Sequence, residues 1–234
     1  MEKLNNSIYY TDATPLLLAV DCIIFGFDRD SLKLLLFQRK VAPFQAEWSL
    51  IGSFVKQEES VLTAAERVLK THTGLTNVFM EELGTYGQVD RDPGARVISI
   101  AHYALMRLAE ESKQIADAYK AQWFEFDQLP ALILDHQQMV EDALEKLRRK
   151  TRYRPIGFEL LPEKFTIPQL RVLYEVIYQR PLDRRNFRKK ILSMKILEKL
   201  DEKDKTNSRK GAFLYRFNPE KYQEMVERGV DFVI

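Results

Sequence analysis

The spacing of apolar residues changes period several times along the chain, and each change marks an element. From Leu16 to Phe27 nearly every position is apolar, with one charge, Asp21, inside the run. That pattern predicts a strand buried on both faces. Asp28-Arg29-Asp30-Ser31 predicts a turn, and Leu32 to Arg39 a second strand returning beside the first. Val61, Ala64, Ala65, Val68 and Leu69 then repeat at helical spacing, and Gly74 stands where a left-handed residue closes a helix. Strand-like segments follow at 78–89, 97–106 and 122–126, the first two joined through the turn signal Arg91-Asp92-Pro93-Gly94. Between 135 and 152, Met139, Val140, Ala143, Leu144 and Leu147 share one helical face. Asp135 suits the N-cap of that helix, and Arg148, Arg149 and Lys150 suit its C-terminal end.

The texture changes after Arg154-Pro155-Ile156-Gly157, which predicts a domain boundary. Thr166-Ile167-Pro168-Gln169 opens a helix with the makings of a capping box, and Leu170, Leu173, Tyr174 and Ile177 form its apolar stripe. After a tight turn at Arg180-Pro181-Leu182, Asp183 caps a second helix in which Phe187, Ile191 and Met194 point inward. Arg184, Arg185, Asn186, Arg188, Lys189 and Lys190 are left for its outer side. Two apolar runs, 196–200 and 212–217, flank a charged loop holding Lys205, Asn207, Ser208, Arg209 and Lys210. Helix, turn, basic helix and hairpin in that order predict a winged helix-turn-helix. Its second helix would offer Arg to guanine edges and Asn to adenine in the major groove, and its basic loop would meet phosphates. The competing expectation is a helical oligomerisation module with a solvated basic face.

Charge supports the division. The chain of 234 residues has a formal net charge of only +2. From Arg180 to Arg216 there are 13 Lys and Arg against 5 Asp and Glu, a net of +8, which leaves −6 for the remainder. A basic segment on an acidic body suits a polyanionic partner. The single cysteine, Cys22, lies in an apolar run and reads as a buried strand residue. With one cysteine, no signal-peptide layout at the start and no apolar run of membrane-spanning length, the sequence predicts a cytoplasmic protein.

The stretch Gly52-Ser53-Phe54 through Glu59, Arg67, Gly74 and Leu75 resembles the Nudix box, G-x5-E-x7-R-E-U-x-E-E-x-G-U, where U is apolar. Aligned on Gly74 and Leu75, the box arginine is Arg67 and its first glutamate Glu59. The opening glycine falls on Ser53, and the three later glutamates fall on Val68, Thr71 and His72. In Nudix hydrolases those carboxylates hold the Mg2+ or Mn2+ that polarises a pyrophosphate, and such hard cations require several oxygen ligands. The resemblance thus implies a Nudix-type α/β/α sandwich with a mixed sheet over residues 1–153, while the replacements imply that the protein is not an enzyme. No catalytic residue, metal or cofactor is expected, unless Glu58, Glu59 and Glu66 form a displaced metal site.

A degenerate Nudix domain followed by a winged helix over 154–234 resembles the Nudix-related transcriptional regulators of the NrtR and AraR type. The most specific part is Phe165-Thr166-Ile167-Pro168-Gln169-Leu170, then Tyr174-Glu175, then Arg180 through Leu192. The resemblance implies a homodimeric repressor that binds palindromic double-stranded operator DNA and releases it when a small molecule enters the Nudix domain. It leaves two effector classes open: a pentose such as L-arabinose, in control of sugar catabolism, or ADP-ribose, in control of NAD synthesis. Likeness to the pentose-responsive members of the family makes a pentose the first expectation and ADP-ribose the alternative; the missing metal ligands agree, since a neutral sugar needs only hydrogen-bonding groups and an aromatic wall. Arg39 and Trp48 match cleft-lining positions of the Nudix fold, and Gln88, His102 and Tyr103 are further candidate effector ligands. Each also has an ordinary structural reading, Trp48 as core packing and His102 as a satisfied core histidine.

Overall fold

The computed structural model describes residues 12–28, 30–76, 78–108, 121–206 and 209–229. Its first layer is a seven-stranded mixed sheet organised on β1 (Leu17–Asp28), with β2 (Ser31–Gln38), β3 (Trp48–Ser49), β4 (Ile51–Phe54), β5 (Phe79–Tyr86), β6 (Val97–Arg107) and β7 (Ala121–Glu125). β1 runs parallel to β6 from Leu17 opposite Val97 to Phe27 opposite Arg107. Its other edge is shared. Ala19 to Cys22 pair antiparallel with Phe54 to Ile51 of β4, and Ile24 to Asp28 pair with Leu35 to Ser31 of β2.

The continuous apolar run of β1 is explained by cover on both faces. Ile23, Phe25 and Phe27 pack with Tyr103, Leu105 and the inner stripe of helix α2 (His136–Tyr153), which is Met139, Val140, Ala143, Leu144 and Leu147. Val20, Cys22 and Ile24 pack on the opposite side with Ala64, Ala65, Val68 and Leu69 of α1 (Val61–Thr73). Period two in the strand thus divides one segment between two helices. Ser60 caps α1 by accepting from Thr63 N at 3.1 Å, and Gly74 ends it at φ 69° with its N–H on Lys70 O. Cys22 is fully buried; burial, then the charge of Asp21, push its thiol far up, so it stays protonated.

Asp135 stands at the N-cap of α2 but makes no capping hydrogen bond. Both its oxygens are taken by Arg91, Nε at 2.9 Å and Nη2 at 2.7 Å. A bidentate guanidinium–carboxylate pair is stronger than one neutral capping bond, so the cap gives way.

The C-terminal part is built from α3 (Ile167–Tyr178), α4 (Arg184–Ser193) and a three-stranded sheet of β8 (Phe165–Thr166), β10 (Ala212–Phe217) and β9 (Leu197–Asp204) in that spatial order. A helix the sequence reading did not anticipate, α5 (Pro219–Glu227), follows. The predicted capping box is present: Thr166 Oγ1 accepts from Gln169 N, and Gln169 Oε1 accepts from Thr166 N at 2.7 Å. Leu170, Leu173, Tyr174 and Ile177 of α3, Phe187 and Ile191 of α4, and Tyr215 are buried in the same apolar cluster as the inner face of α2. Arg148 of α2 donates from Nε to Ile177 O at 2.9 Å, tying α2 to the end of α3. No described helix is long and apolar enough to cross a membrane. Thr166→Ala removes the Oγ1 that accepts from Gln169 N while leaving the Thr166 N–H to Gln169 in place, and should lower unfolding stability by about 1 kcal/mol in a denaturant titration.

Candidate functional site

Two strands cannot occupy one stretch of the same edge, so β4 and β2 part from each other as they leave β1. A cleft of ≈ 340 Å³ opens beside them. Phe37, Gln38, Arg39 and Lys40 from the end of β2 form one wall, and Gly52, Ser53 and Phe54 of β4 the other. Asp21, Arg91 and His136 line its depth.

Asp21 is only 7 % exposed. A buried carboxylate requires partners, and it has them. Ser99 Oγ donates to Oδ2 at 2.6 Å, Arg91 Nη2 lies 3.6 Å from the same oxygen, and His136 Nε2 lies 3.7 Å from Oδ1. His136 Nδ1 accepts from Leu50 N at 3.1 Å, so the ring proton is assigned to Nε2, facing Asp21. Burial lowers the pKa of His136 against the opposing charges of Asp21 and Asp135, and the imidazole is neutral at pH 7. Gly52 is required beside this cluster: a Cβ there would lie 2.1 Å from Asp21 Oδ1 and 2.8 Å from Val20 O.

The box residues divide by role. Arg67 donates from Nε and Nη2 to Glu59 at 2.8 and 2.6 Å and from Nη2 to Phe54 O at 3.1 Å. Glu59 Oε1 also accepts from Lys56 N at 2.9 Å. This knot staples the loop after β4 to α1. Both oxygens of Glu59 are therefore spent on structure. Val68 is buried in the core, Thr71 is exposed, Glu58 and Glu66 are exposed, and His72 stands on the cleft wall with its ring edge toward Phe37 at 6.4 Å. Among the described residues no group of three or more His, Cys, Asp or Glu side chains is gathered to hold a metal. The donor set does not fit the divalent ion of a Nudix hydrolase, which needs clustered oxygens.

Of the effector residues named from sequence, Arg39 is on the cleft wall. The other four stand elsewhere. Trp48 is half-buried and packs edge-on against Phe124, ring centroids 4.9 Å apart. Gln88 is exposed in the β5–β6 connection, where its carbonyl accepts from Arg96. His102 is buried with Nδ1 3.2 Å from Ile100 O, and Tyr103 is fully buried with its hydroxyl on Glu81. Lys40, Phe54, His72, Arg91 and His136 were not foreseen as site residues. Asp21, a charge inside an apolar strand, was the one signal in the sequence pointing to the cluster.

At the other end of the molecule Asp183 caps α4 through Asn186 N at 2.8 Å. Arg184, Arg185, Asn186, Arg188, Lys189 and Lys190 are all exposed, and none is ion-paired among the described residues. Lys205, Arg209 and Lys210 are exposed around the turn of the β9–β10 hairpin, while Asn207 and Ser208 lie outside the described residues. Lys199 and Lys203 sit over the Phe213 ring at 3.8 and 4.4 Å.

Comparison with known proteins accounts for both ends. Residues 15–145 match the family described as NUDIX domain, and residues 157–217 match the NrtR DNA-binding winged helix domain. The chain is 30% identical over 220 residues to the ADPR responsive transcriptional repressor NtrR of Acinetobacter baylyi, covering 92% of this chain and 88% of that one. The chain belongs to the NrtR family of Nudix-related regulators. Solved NrtR of Shewanella oneidensis, in complex with a 27mer DNA, is similar at 31% identity and TM-score 0.76, over 88% of this chain and 95% of that one. The NUDIX domain of the same protein with ADP ribose matches at 27% identity and TM-score 0.50, over 59% of this chain and 92% of that one. An ADP-ribose pyrophosphatase of Methanocaldococcus jannaschii is 39% identical over 126 residues, 54% of this chain and 72% of the enzyme. As an NrtR-family member the chain is a DNA-binding transcriptional regulator with a Nudix fold.

The Arg67–Glu59 knot has a pH signature. The hydrogen bond from Arg67, with that from Lys56, holds the Glu59 carboxyl down at about 2, against an ordinary 4.5. A depressed folded pKa adds stability that is fully present above pH 4.5 and is lost as pH falls toward 2. Glu59→Gln should therefore flatten the fall of Tm across that window in acid thermal melts, relative to the parent.

Proposed function

We propose that this protein is a homodimeric repressor that binds a palindromic operator through α4 and the β9–β10 hairpin, and that ADP-ribose in the Nudix cleft releases it. The observation that carries this reading is the match to an ADPR responsive repressor across both halves of the chain. The sequence placed a pentose such as L-arabinose first. The relatives favour the alternative, since the names of the repressor and of the NUDIX-domain complex both specify ADP-ribose. The cleft's volume of ≈ 340 Å³ falls within the range of small-molecule sites, and Phe54, 53 % exposed, lines it as an aromatic surface on which a base could stack.

In this reading residues 1–153 form the effector domain and 154–234 the DNA-binding domain, in a cytoplasmic protein. Arg184, Arg185, Asn186 and Arg188 read base edges and phosphates, and Lys189, Lys190, Lys205, Asn207, Ser208, Arg209 and Lys210 hold backbone phosphates. Two half-sites on one face of DNA lie about one helical turn apart, so operator affinity depends on how the two winged helices are spaced. Helix α2 reaches from the cleft, through Asp135 and His136, to α3, through Arg148. A ligand that prefers one setting of that helix shifts DNA affinity by its differential affinity for the two settings. Hydrolysis is the rival reading that the similar pyrophosphatase raises. Val68, Thr71 and His72 at the box acid positions speak against it.

The test is fluorescence anisotropy of a labelled duplex carrying the palindrome that the protein selects from a random pool. Saturating ADP-ribose should weaken binding about tenfold, within the usual range of allosteric coupling, and L-arabinose should leave it unchanged. The reverse pattern would restore the sugar reading. Arg185→Ala and Arg188→Ala should each weaken operator binding about tenfold or more, as expected for lost base or phosphate contacts, with ADP-ribose binding retained. Parent-like DNA binding by both variants would remove α4 as the recognition helix.

A further inference from the structure

We infer that the cleft takes the diphosphate of its effector bare, without a divalent cation, gripping it directly with Arg39, Lys40 and His72. The inference rests on the reading of the effector as a nucleoside diphosphate sugar. It starts from the charge of the cleft. A Nudix hydrolase surrounds its diphosphate with carboxylates and supplies metal ions to reconcile the two. Here the cleft is lined by three cations, Arg39, Lys40 and Arg91, against two carboxylates, Asp21 and Asp92.

The carboxylates are already engaged. Asp21 is held by Ser99, Arg91 and His136, and Asp92 accepts from Gly94 N at 2.8 Å. Arg91 in turn is committed to Asp135. That leaves the cations at the mouth. Neither Arg39 nor Lys40 is ion-paired among the described residues, and Arg39 Nε donates only to the carbonyl of Val41, at 3.2 Å. Both leave the end of β2 onto the wall that also carries His72.

His72 is the informative replacement. It stands at a position where the box places a glutamate, and it lines the cleft. Burial, then the charges of Lys40 and Arg67, hold its imidazole below the usual range, so near pH 7 it brings a ring N–H and no negative charge. A glutamate there would repel a bare phosphate and attract a cation. A neutral donor beside Lys40 and Arg39 does the opposite. Loss of that negative charge on the helix wall favours a bare anion over a cation, and with Val68 and Thr71 at the other acid positions the oxygen ligands of a catalytic metal are missing.

Isothermal titration calorimetry of the full-length protein with ADP-ribose, in excess EDTA and in millimolar Mg2+, tests this. Affinity should agree within about twofold between the two buffers. Lys40→Glu and His72→Glu should each weaken binding in EDTA about tenfold or more, the scale of a lost charge-assisted hydrogen bond, and His72→Gln should stay close to the parent. Unchanged operator affinity without effector shows that each variant is folded. Binding that needs Mg2+ and vanishes in EDTA would overturn metal-free recognition while leaving ADP-ribose as the effector. Binding lost in both buffers would overturn the effector reading as well. Parent-like affinity of both glutamate variants in EDTA would show that the diphosphate lies elsewhere.

Discussion

Strand β1 has more partners than one edge can seat side by side. Its full length is committed to β6, so β4 and β2 must divide what remains, and they part near Cys22 to Ile24. The cleft follows from that competition. So does the position of Asp21, a carboxylate on the most buried strand, aimed at the space between the diverging pair. The acid is tolerated because Ser99, Arg91 and His136 converge on it from β6, the β5–β6 connection and α2. An unpartnered charge at that depth would cost several kcal/mol.

The same cluster sets α2. Arg91 draws Asp135 away from capping the helix, and His136 receives Leu50 N across 86 residues of sequence. About three turns later, at Arg148, the helix meets the end of α3, and its inner face shares one apolar cluster with the DNA-binding part. Cleft and winged helix are therefore connected through packed side chains and a rigid element. This is the physical precondition for an effector at one end to be felt at the other.

Much of the fold could be read from local pattern. The unbroken apolar run of β1 required cover on two faces, and α1 and α2 supply it. Thr166 with Gln169, and Asp183 before a basic helix, announced α3 and α4 through caps that depend on residues three apart. The cleft was less legible because its contacts are long-range. Arg91 reads as part of a turn, and only the fold reveals Asp135, 44 residues on, as its partner. His102 and Tyr103 are adjacent in a central strand, so their side chains leave on opposite faces and both enter the interior. Trp48 packs against Phe124 of β7, an element whose pairing with β2 no local pattern reveals. His72 was seen in the sequence as a missing acid; its place on the wall with Arg39 and Lys40 gives the replacement a positive meaning.

The Nudix scaffold here keeps the structural knot of Glu59 with Arg67, while the later acid positions of the box hold Val68, Thr71 and His72. The first pair staples a loop, and the other three face the core, the solvent and the cleft. The most direct measurement is 31P NMR of ADP-ribose incubated with the protein and Mg2+ or Mn2+. The account predicts that the two diphosphate resonances persist unchanged for hours. Conversion to phosphomonoester signals of AMP and ribose 5-phosphate at an enzymatic rate would contradict it.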